Sequence, residues 1–270
     1  MKKERIDTLL VLKGLFESRE KAKRSIMAGL ILADGERIDK PGTKVSEEAL
    51  LSVKGEEIPY VGRGGFKLAE AYEQFNFLLR DKIILDIGAS TGGFTDVALQ
   101  NGAAKVYALD VGYNQLAWKL RQDERVIVME RTNFRYCKKE DFTEGMPDLA
   151  TIDVSFISLK LLLPVLYKIL SAEGDVIALI KPQFEAGKEE VGKNGIVRLP
   201  AVHEKVLEET IRFSESAGFT VLGLTDSPIR GSGGNIEFLV HLRKNNDRSS
   251  MFPAEKIAAC VRDAHEKTIQ

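Results

Sequence analysis

The chain predicts a doubly wound α/β sheet with its last strand antiparallel, preceded by a small α+β unit. Three observations predict it. From about residue 80, the short Val-, Ile- and Leu-rich runs "KIILDIG", "KVYALD", "VIVME", "DLATIDVS" and "DVIALIKP" are mostly separated by helical stretches, the rhythm of buried parallel strands with crossover helices. The final two runs, "TVLGLTDSP" and "IEFLVHLRK", are instead joined by a glycine-rich loop, which turns the last strand back. Residues 1–57 follow a third rhythm, in which helical spacing gives way to short apolar runs between turns.

In the first unit, "RIDTLLVLKGLF" has apolar residues at helical spacing and stops at Gly14. "SREKAKRSIMAGL" starts on Ser18 as an N-cap and ends at Gly29. "LILADGERIDKPGTKVS" places Asp-Gly and Pro-Gly turns between short strands. A joint at 58–66, "IPYVGRGGF", leads to the larger unit over 67–244, with "LKLLLPVLYKIL" and "VHEKVLEETIRFSESAG" as two of its helices. The tail, 245–270, reads as a loop and a short amphipathic helix with no assigned chemistry.

With 270 residues, 44% hydrophobic and 29% charged, the chain has material for a large core. A net charge of −1 means that any nucleic-acid affinity comes from local asymmetry. Cys137 and Cys260 lack metal-site or disulfide-framework spacing, which suits a reducing compartment. The basic start "MKKERIDTLLVLKGLF" is interrupted by Asp7 and Lys13, so the expectation is a cytoplasmic protein without a signal peptide or membrane span.

Local asymmetry is present. Residues 1–25 carry Lys2, Lys3, Arg5, Lys13, Arg19, Lys21, Lys23 and Arg24 against Glu4, Asp7, Glu17 and Glu20. A charged helix face is commonly only solvated. Here, however, "SREKAKRSIMAGLILADGERIDKPGTKV", together with Arg5-Ile6-Asp7, resembles the S4 RNA-binding module. The resemblance implies that Arg5, Arg19, Lys21, Lys23 and Arg24 contact phosphates, giving affinity and position rather than sequence reading.

"LDIGASTGGFT" (85–95) lies between a strand and a helix. Gly88 allows a tight turn, and Gly92 and Gly93 allow backbone to approach a ligand. The next strand ends at Asp110, whose carboxylate is placed to accept from ribose hydroxyls. Three readings compete: a turn without ligand, a dinucleotide site and an S-adenosylmethionine site. Ser90 stands where a Gly-x-Gly-x-x-Gly motif needs glycine, and Asp86 would repel a pyrophosphate but suit a sulfonium. The expected cofactor contacts are Asp86, Gly88, Ala89, Ser90, Gly92, Gly93, Phe94 and Asp110. After the third strand, Thr132, Asn133 and Asp141 are weaker candidates beside an adenine, Asn133 leading.

Ligands of open α/β sheets sit at the carboxyl ends of the strands. Asp153 and Lys181 end neighbouring strands there, Glu237 begins an antiparallel strand at the same rim, and Lys67 opens a helix just before the first strand. Each has a plain alternative: Asp153 as a helix cap unless Ser155 or Ser158 serves, Lys181 as a solvated loop residue, Glu237 as half of a surface ion pair.

"RGGFKL", "LDIGASTGGFTDVAL", "TIDVSFIS", "LIKPQFEAG" and "GGNIEF" together resemble the FtsJ/RrmJ-type ribose 2′-O-methyltransferases, and with the S4-like unit the TlyA/hemolysin A subgroup of rRNA methyltransferases. The resemblance implies a Rossmann-like methyltransferase fold, S-adenosylmethionine as cofactor, and ribosomal RNA or ribosomal subunits as partners. It also implies a catalytic set of Lys67, Asp153, Lys181 and Glu237. Lys181 is then the candidate base, either as a neutral amine that takes the hydroxyl proton or as an ammonium that stabilises the oxyanion. The reaction needs no metal, and His203, His241 and His265 lack ligand spacing. Rival readings are an RNA-binding assembly factor without turnover, a dehydrogenase, and a haemolysin.

Overall fold

The structure is a computed structural model that describes residues 3–53, 59–245 and 251–267. Residue 58 of the expected joint, residues 54–57 before it and residues 246–250 and 268–270 of the tail lie outside the described residues. The chain divides into two compact units, Met1–Arg63 and Gly64–Gln270.

The first unit runs β1 (Lys3–Arg5), α1 (Ile6–Leu12), α2 (Arg19–Met27), β2 (Ile31–Ala33), β3 (Glu36–Ile38), β4 (Lys44–Ser46) and β5 (Leu51–Val53). Ser18 caps α2 by accepting from the Lys21 N–H at 3.3 Å. Asp34 and Gly35, at φ 53° and 83°, form the two-residue turn between β2 and β3, whose handedness matches the twist of the strands. β2 pairs with β3 and β5, while β1 pairs with β4. Ile6, Leu10, Ala22, Ile26 and Ile31 make one small core.

The second unit continues α3 (Gly65–Phe75), β6 (Ile83–Ile87), α4 (Gly93–Gln100), β7 (Lys105–Leu109), α5 (Trp118–Arg121), β8 (Val126–Met129) and β9 (Leu149–Ile152). It then runs α6 (Leu163–Ile169), β10 (Asp175–Ile180), α7 (Pro182–Glu185), α8 (Pro200–Ser216), β11 (Phe219–Asp226), β12 (Phe238–Lys244) and α9 (Ala254–Glu266). The helix expected over "LKLLLPVLYKIL" is broken into a 3-10 turn at Leu159–Leu161 and α6, because Pro164 is tolerated only in a first turn.

The sheet order is β11-β12-β10-β9-β6-β7-β8. β6 to β10 pair in parallel, and β12 runs antiparallel to both β10 and β11. The last strand therefore lies inside the sheet and β11 forms the edge. Alternate strand residues such as Leu85, Ala150, Val176 and Val240 join α6, α8 and α9 in one core. The tail helix belongs to it through Ile257, Cys260, Val261 and Ala264. Ile180 pairs with Phe238, so the next residue along β10, Lys181, and the one before β12, Glu237, meet the same rim as Asp153 after β9.

Candidate active site

At that rim the four charged residues converge. Lys67, in the first turn of α3, donates to Glu237 Oε2 at 2.8 Å and to Asp153 Oδ2 at 3.2 Å. Lys181 Nζ lies 2.5 Å from the other Asp153 oxygen, Oδ1. Lys67, Lys181 and Glu237 are only 7%, 8% and 3% exposed, so this alternating row, Glu237–Lys67–Asp153–Lys181, is a buried, balanced cluster rather than a set of solvated surface charges. Burial alone would raise the Asp153 carboxyl, but the charges of Lys67 and Lys181 outweigh it and hold it below its ordinary value. Asp153 has no capping duty: Ser158 caps the 3-10 turn instead, accepting from the Lys160 N–H at 3.1 Å.

Sequence reasoning missed Gln183, although "KPQF" contains it. Its Nε2 donates to Glu237 Oε1 at 3.1 Å. A carboxylate only accepts, so the amide must face it with nitrogen, and the buried Gln183 Oε1 is left without a partner.

Beside the cluster is a cavity of about 380 Å³, in the range of small-molecule sites. Gly88, Ser90, Asp110, Asn133 and Asp153 line it, with apolar walls from Ile87, Leu109, Phe134 and Leu162. Phe156 stands at its rim, 90% exposed, with φ 63° and its ring 4.9 Å from that of Phe184. Asp110 accepts from the Ser90 N–H at 2.8 Å and the Gly112 N–H at 2.7 Å, which fixes its carboxylate and leaves lone pairs for a ligand. Asn133 caps the turn after β8, accepting from the Arg135 N–H at 3.1 Å. Its neighbours of the adenine reading turn elsewhere: Asp141 accepts from the Lys138 N–H, and Thr132 donates to the Glu130 carbonyl.

Several expected cofactor contacts are placed differently. Asp86 is buried and does not line the cavity: it accepts from the N–H and hydroxyl of Thr95 at 3.0 and 2.7 Å and from the Thr151 hydroxyl at 3.0 Å. It thus ties β6 to the start of α4, satisfying a helix N–H that would otherwise lack a partner. Burial pushes its carboxyl up to about 6, against the hydrogen bonds from Thr95 and Thr151. A Cβ on Gly92, at φ 95°, would come within 2.2 Å of Leu120 and 2.8 Å of Leu116, so that glycine makes room for packing rather than for a ligand. Ala89, Gly93 and Phe94 are buried behind the loop and do not line the cavity. Gly88 does line it, and there a Cβ would lie 2.4 Å from the Asp153 carbonyl oxygen, so the close approach is to the β9 loop.

In the first unit, four of the five expected phosphate contacts, Arg5, Arg19, Lys21 and Lys23, meet carboxylates. Asp7, buried and unpredicted as an anchor, accepts from Arg5 at 2.9 and 3.0 Å and from Arg19 at 2.7 Å. These hydrogen bonds hold its carboxyl well below the usual range despite burial. Lys21 pairs with Glu17 and Lys23 with Glu20. Arg24 is partly exposed on α2. Among the described residues no helix is long and apolar enough to cross a membrane.

Comparison with known proteins agrees with this architecture. The FtsJ-like methyltransferase model matches residues 60–244 and the S4 domain model residues 4–51. A Bacillus subtilis protein named as a candidate rRNA methyltransferase, YqxC, is 58% identical, over 98% of this chain and 95% of its own. The 16S/23S rRNA (cytidine-2′-O)-methyltransferase TlyA of Mycobacterium tuberculosis is 43% identical, over 92% of each chain. A solved structure from Streptococcus thermophilus, named as a candidate hemolysin, is 56% identical and superposes with a TM-score of 0.81 over 100% of this chain and 98% of that one.

Proposed function

We propose that this chain, which belongs to the FtsJ-like methyltransferase family and carries an S4 domain, transfers a methyl group from S-adenosylmethionine to a ribose 2′-hydroxyl of ribosomal RNA. One observation carries the reading. Asp153 both lines the cavity and stands between Lys67 and Lys181, so a donor in the cavity and an acceptor at the charge cluster share one carboxylate.

The cavity fits the donor: Asp110 offers fixed acceptors to ribose hydroxyls, and Phe134, Leu162 and Ile87 offer an apolar bed for a purine. When bound, S-adenosylmethionine supplies an electrophilic methyl group on a good leaving group. The protein's own share is to orient the hydroxyl and receive its proton. Lys67 and Lys181 are held by carboxylates at 2.5 to 3.2 Å, so their donors are fixed before substrate arrives. Where Lys181 meets the hydroxyl as a neutral amine, it takes the proton and Lys67 stabilises the oxygen. Where both lysines are ammonium, they stabilise the oxygen together and a carboxylate of the coupled Lys67–Asp153–Lys181–Glu237 set takes the proton. Gln183 keeps Glu237 in register. The S4 domain supplies RNA affinity, with Arg5 and Arg19 presented on the buried Asp7 carboxylate.

The test is methyl transfer from labelled S-adenosylmethionine to ribosomal subunits, followed by digestion to nucleosides and mass spectrometry. A 2′-O-methyl nucleoside is expected, with transfer falling about 10²–10⁴-fold in Lys181→Ala. A base-methylated product, or RNA binding without turnover by the parent, would reject the reading.

A further inference from the structure

A second surface of the methyltransferase unit is built for a polyanion. The segment after β8 begins against the cavity at Asn133 and Phe134 and then enters a groove of about 1040 Å³. Arg135, Lys138, Lys139, Lys168 and Lys244 line this groove, with Glu140 the one carboxylate among its lining residues. Among the described residues, Arg135, Lys138, Lys139 and Lys168 form no ion pair, and all four are exposed. The contrast is with the S4 unit, where Arg5, Arg19, Lys21 and Lys23 each meet a carboxylate. Gathering uncompensated cations costs self-repulsion, and a phosphate chain removes that cost. Lys244 registers the crowding: burial first, and then the Lys139 charge, hold it below its ordinary value.

The groove also carries aromatic faces. Tyr136 is 72% exposed, with the Arg135 guanidinium 5.7 Å from its ring centre. Tyr167 lies under the Lys244 ammonium, 4.8 Å from its ring centre. Cations interleaved with stacking platforms match single-stranded or loop RNA, whose bases need a π-face and whose backbone needs charge. Lys244 N–H bonds the Gly174 carbonyl, next to the amino end of β10. The groove therefore runs from beside the cavity to the rim of the sheet opposite Lys181.

We propose that this groove is a second RNA-binding track, holding the strand that flanks the modified nucleotide through three or more phosphates and a base stacked on Tyr136. The proposal rests on the reading of the chain as an RNA methyltransferase.

The full-length protein would be titrated with deproteinised total ribosomal RNA over a range of salt, beside a Lys138→Glu/Lys139→Glu/Lys168→Glu variant. S-adenosylhomocysteine affinity measured by calorimetry, and circular dichroism, report on the fold and the cofactor cavity. Expected are at least about a tenfold loss of RNA affinity and a shallower salt dependence, by about two in the log–log slope. S-adenosylhomocysteine affinity should stay within about twofold, since none of the three lysines lines the cavity. Tyr136→Ala should weaken RNA binding about fivefold or more without changing the salt slope. RNA affinity and slope equal to the parent's would overturn the track while leaving the methyltransferase reading intact. So would loss of binding to phosphatidylglycerol vesicles with RNA binding unchanged, which would make the groove a membrane-facing surface. A parent that binds S-adenosylhomocysteine but no RNA would overturn both.

Discussion

Lys67 and Glu237 are 170 positions apart in the chain, yet the ammonium of one donates to the carboxylate of the other at 2.8 Å in a buried site. Among the described residues Glu237 pairs with no other lysine, and Gln183 is its other side-chain partner. Asp153, by contrast, has two lysines. Lys67→Met therefore strands a buried charge and should lower stability to urea by about 3–5 kcal/mol, whereas Lys181→Met leaves Asp153 paired and should cost much less. Both should lose methyl transfer. Lys67→Met/Glu237→Leu should regain most of the stability without regaining activity. Equal urea midpoints for the two single variants would contradict this assignment of partners.

Gly88 holds the cavity against the β9 loop. At φ 88°, with a Cβ position 2.4 Å from the Asp153 carbonyl oxygen, Gly88→Ala meets both backbone strain and a backbone clash. The expected loss is about 2 kcal/mol or more, with transfer reduced because Asp153 must shift. Gly102 is the control: at φ 84° its Cβ would meet Arg80 only at ordinary contact distance, 3.5 Å. Gly102→Ala should cost about 1–2 kcal/mol of strain and leave turnover unchanged. Thermal melts and initial rates of the two variants decide the matter.

Asp86 gives the fold a pH signature. Its folded-state pKa is raised to about 6, chiefly by burial, above the ordinary carboxylate value. The folded chain thus binds this proton more tightly than the unfolded chain. The associated stability is fully present below about pH 4 and is lost as pH rises through about 6. Asp86→Asn removes that dependence while keeping an oxygen for Thr95 or Thr151. The stability difference, variant minus parent, should rise in the variant's favour by about 3 kcal/mol between pH 4 and 7. A difference that stays flat across urea titrations at those pH values would show that Asp86 does not titrate there.

Much of this was legible in the residues. The run "KIILDIG" has the length and branching of a buried strand, and β6 forms there. The glycine-rich connection before "IEFLVHLRK" pointed to reversal, and β12 is antiparallel. The rim position of Asp153, Lys181 and Glu237 followed from counting strands, because ligands and loops share the carboxyl ends. What could not be read is which partner claims each polar side chain. Asp86 reads as a loop-entry carboxylate, but Thr151, 65 positions on, is part of what satisfies it. Arg5 and Arg19 read as phosphate contacts, and nothing in the sequence signalled that the buried Asp7 pairs with both.

By itself, then, the sequence determined the strands, the tight turns and the sheet edge that each charged residue reaches, since these depend on local apolar periodicity and on glycine's freedom at positive φ. Only the tertiary structure decided that Asp86 turns inward, that Gly92 yields its space to Leu116 and Leu120, that Gln183 secures Glu237, and that Arg135, Lys138, Lys139 and Lys168 line one groove with no ion pair among the described residues. The reason is physical: hydrogen bonds and ion pairs are settled over about 3 Å between segments whose separation along the chain carries no information about their distance in space.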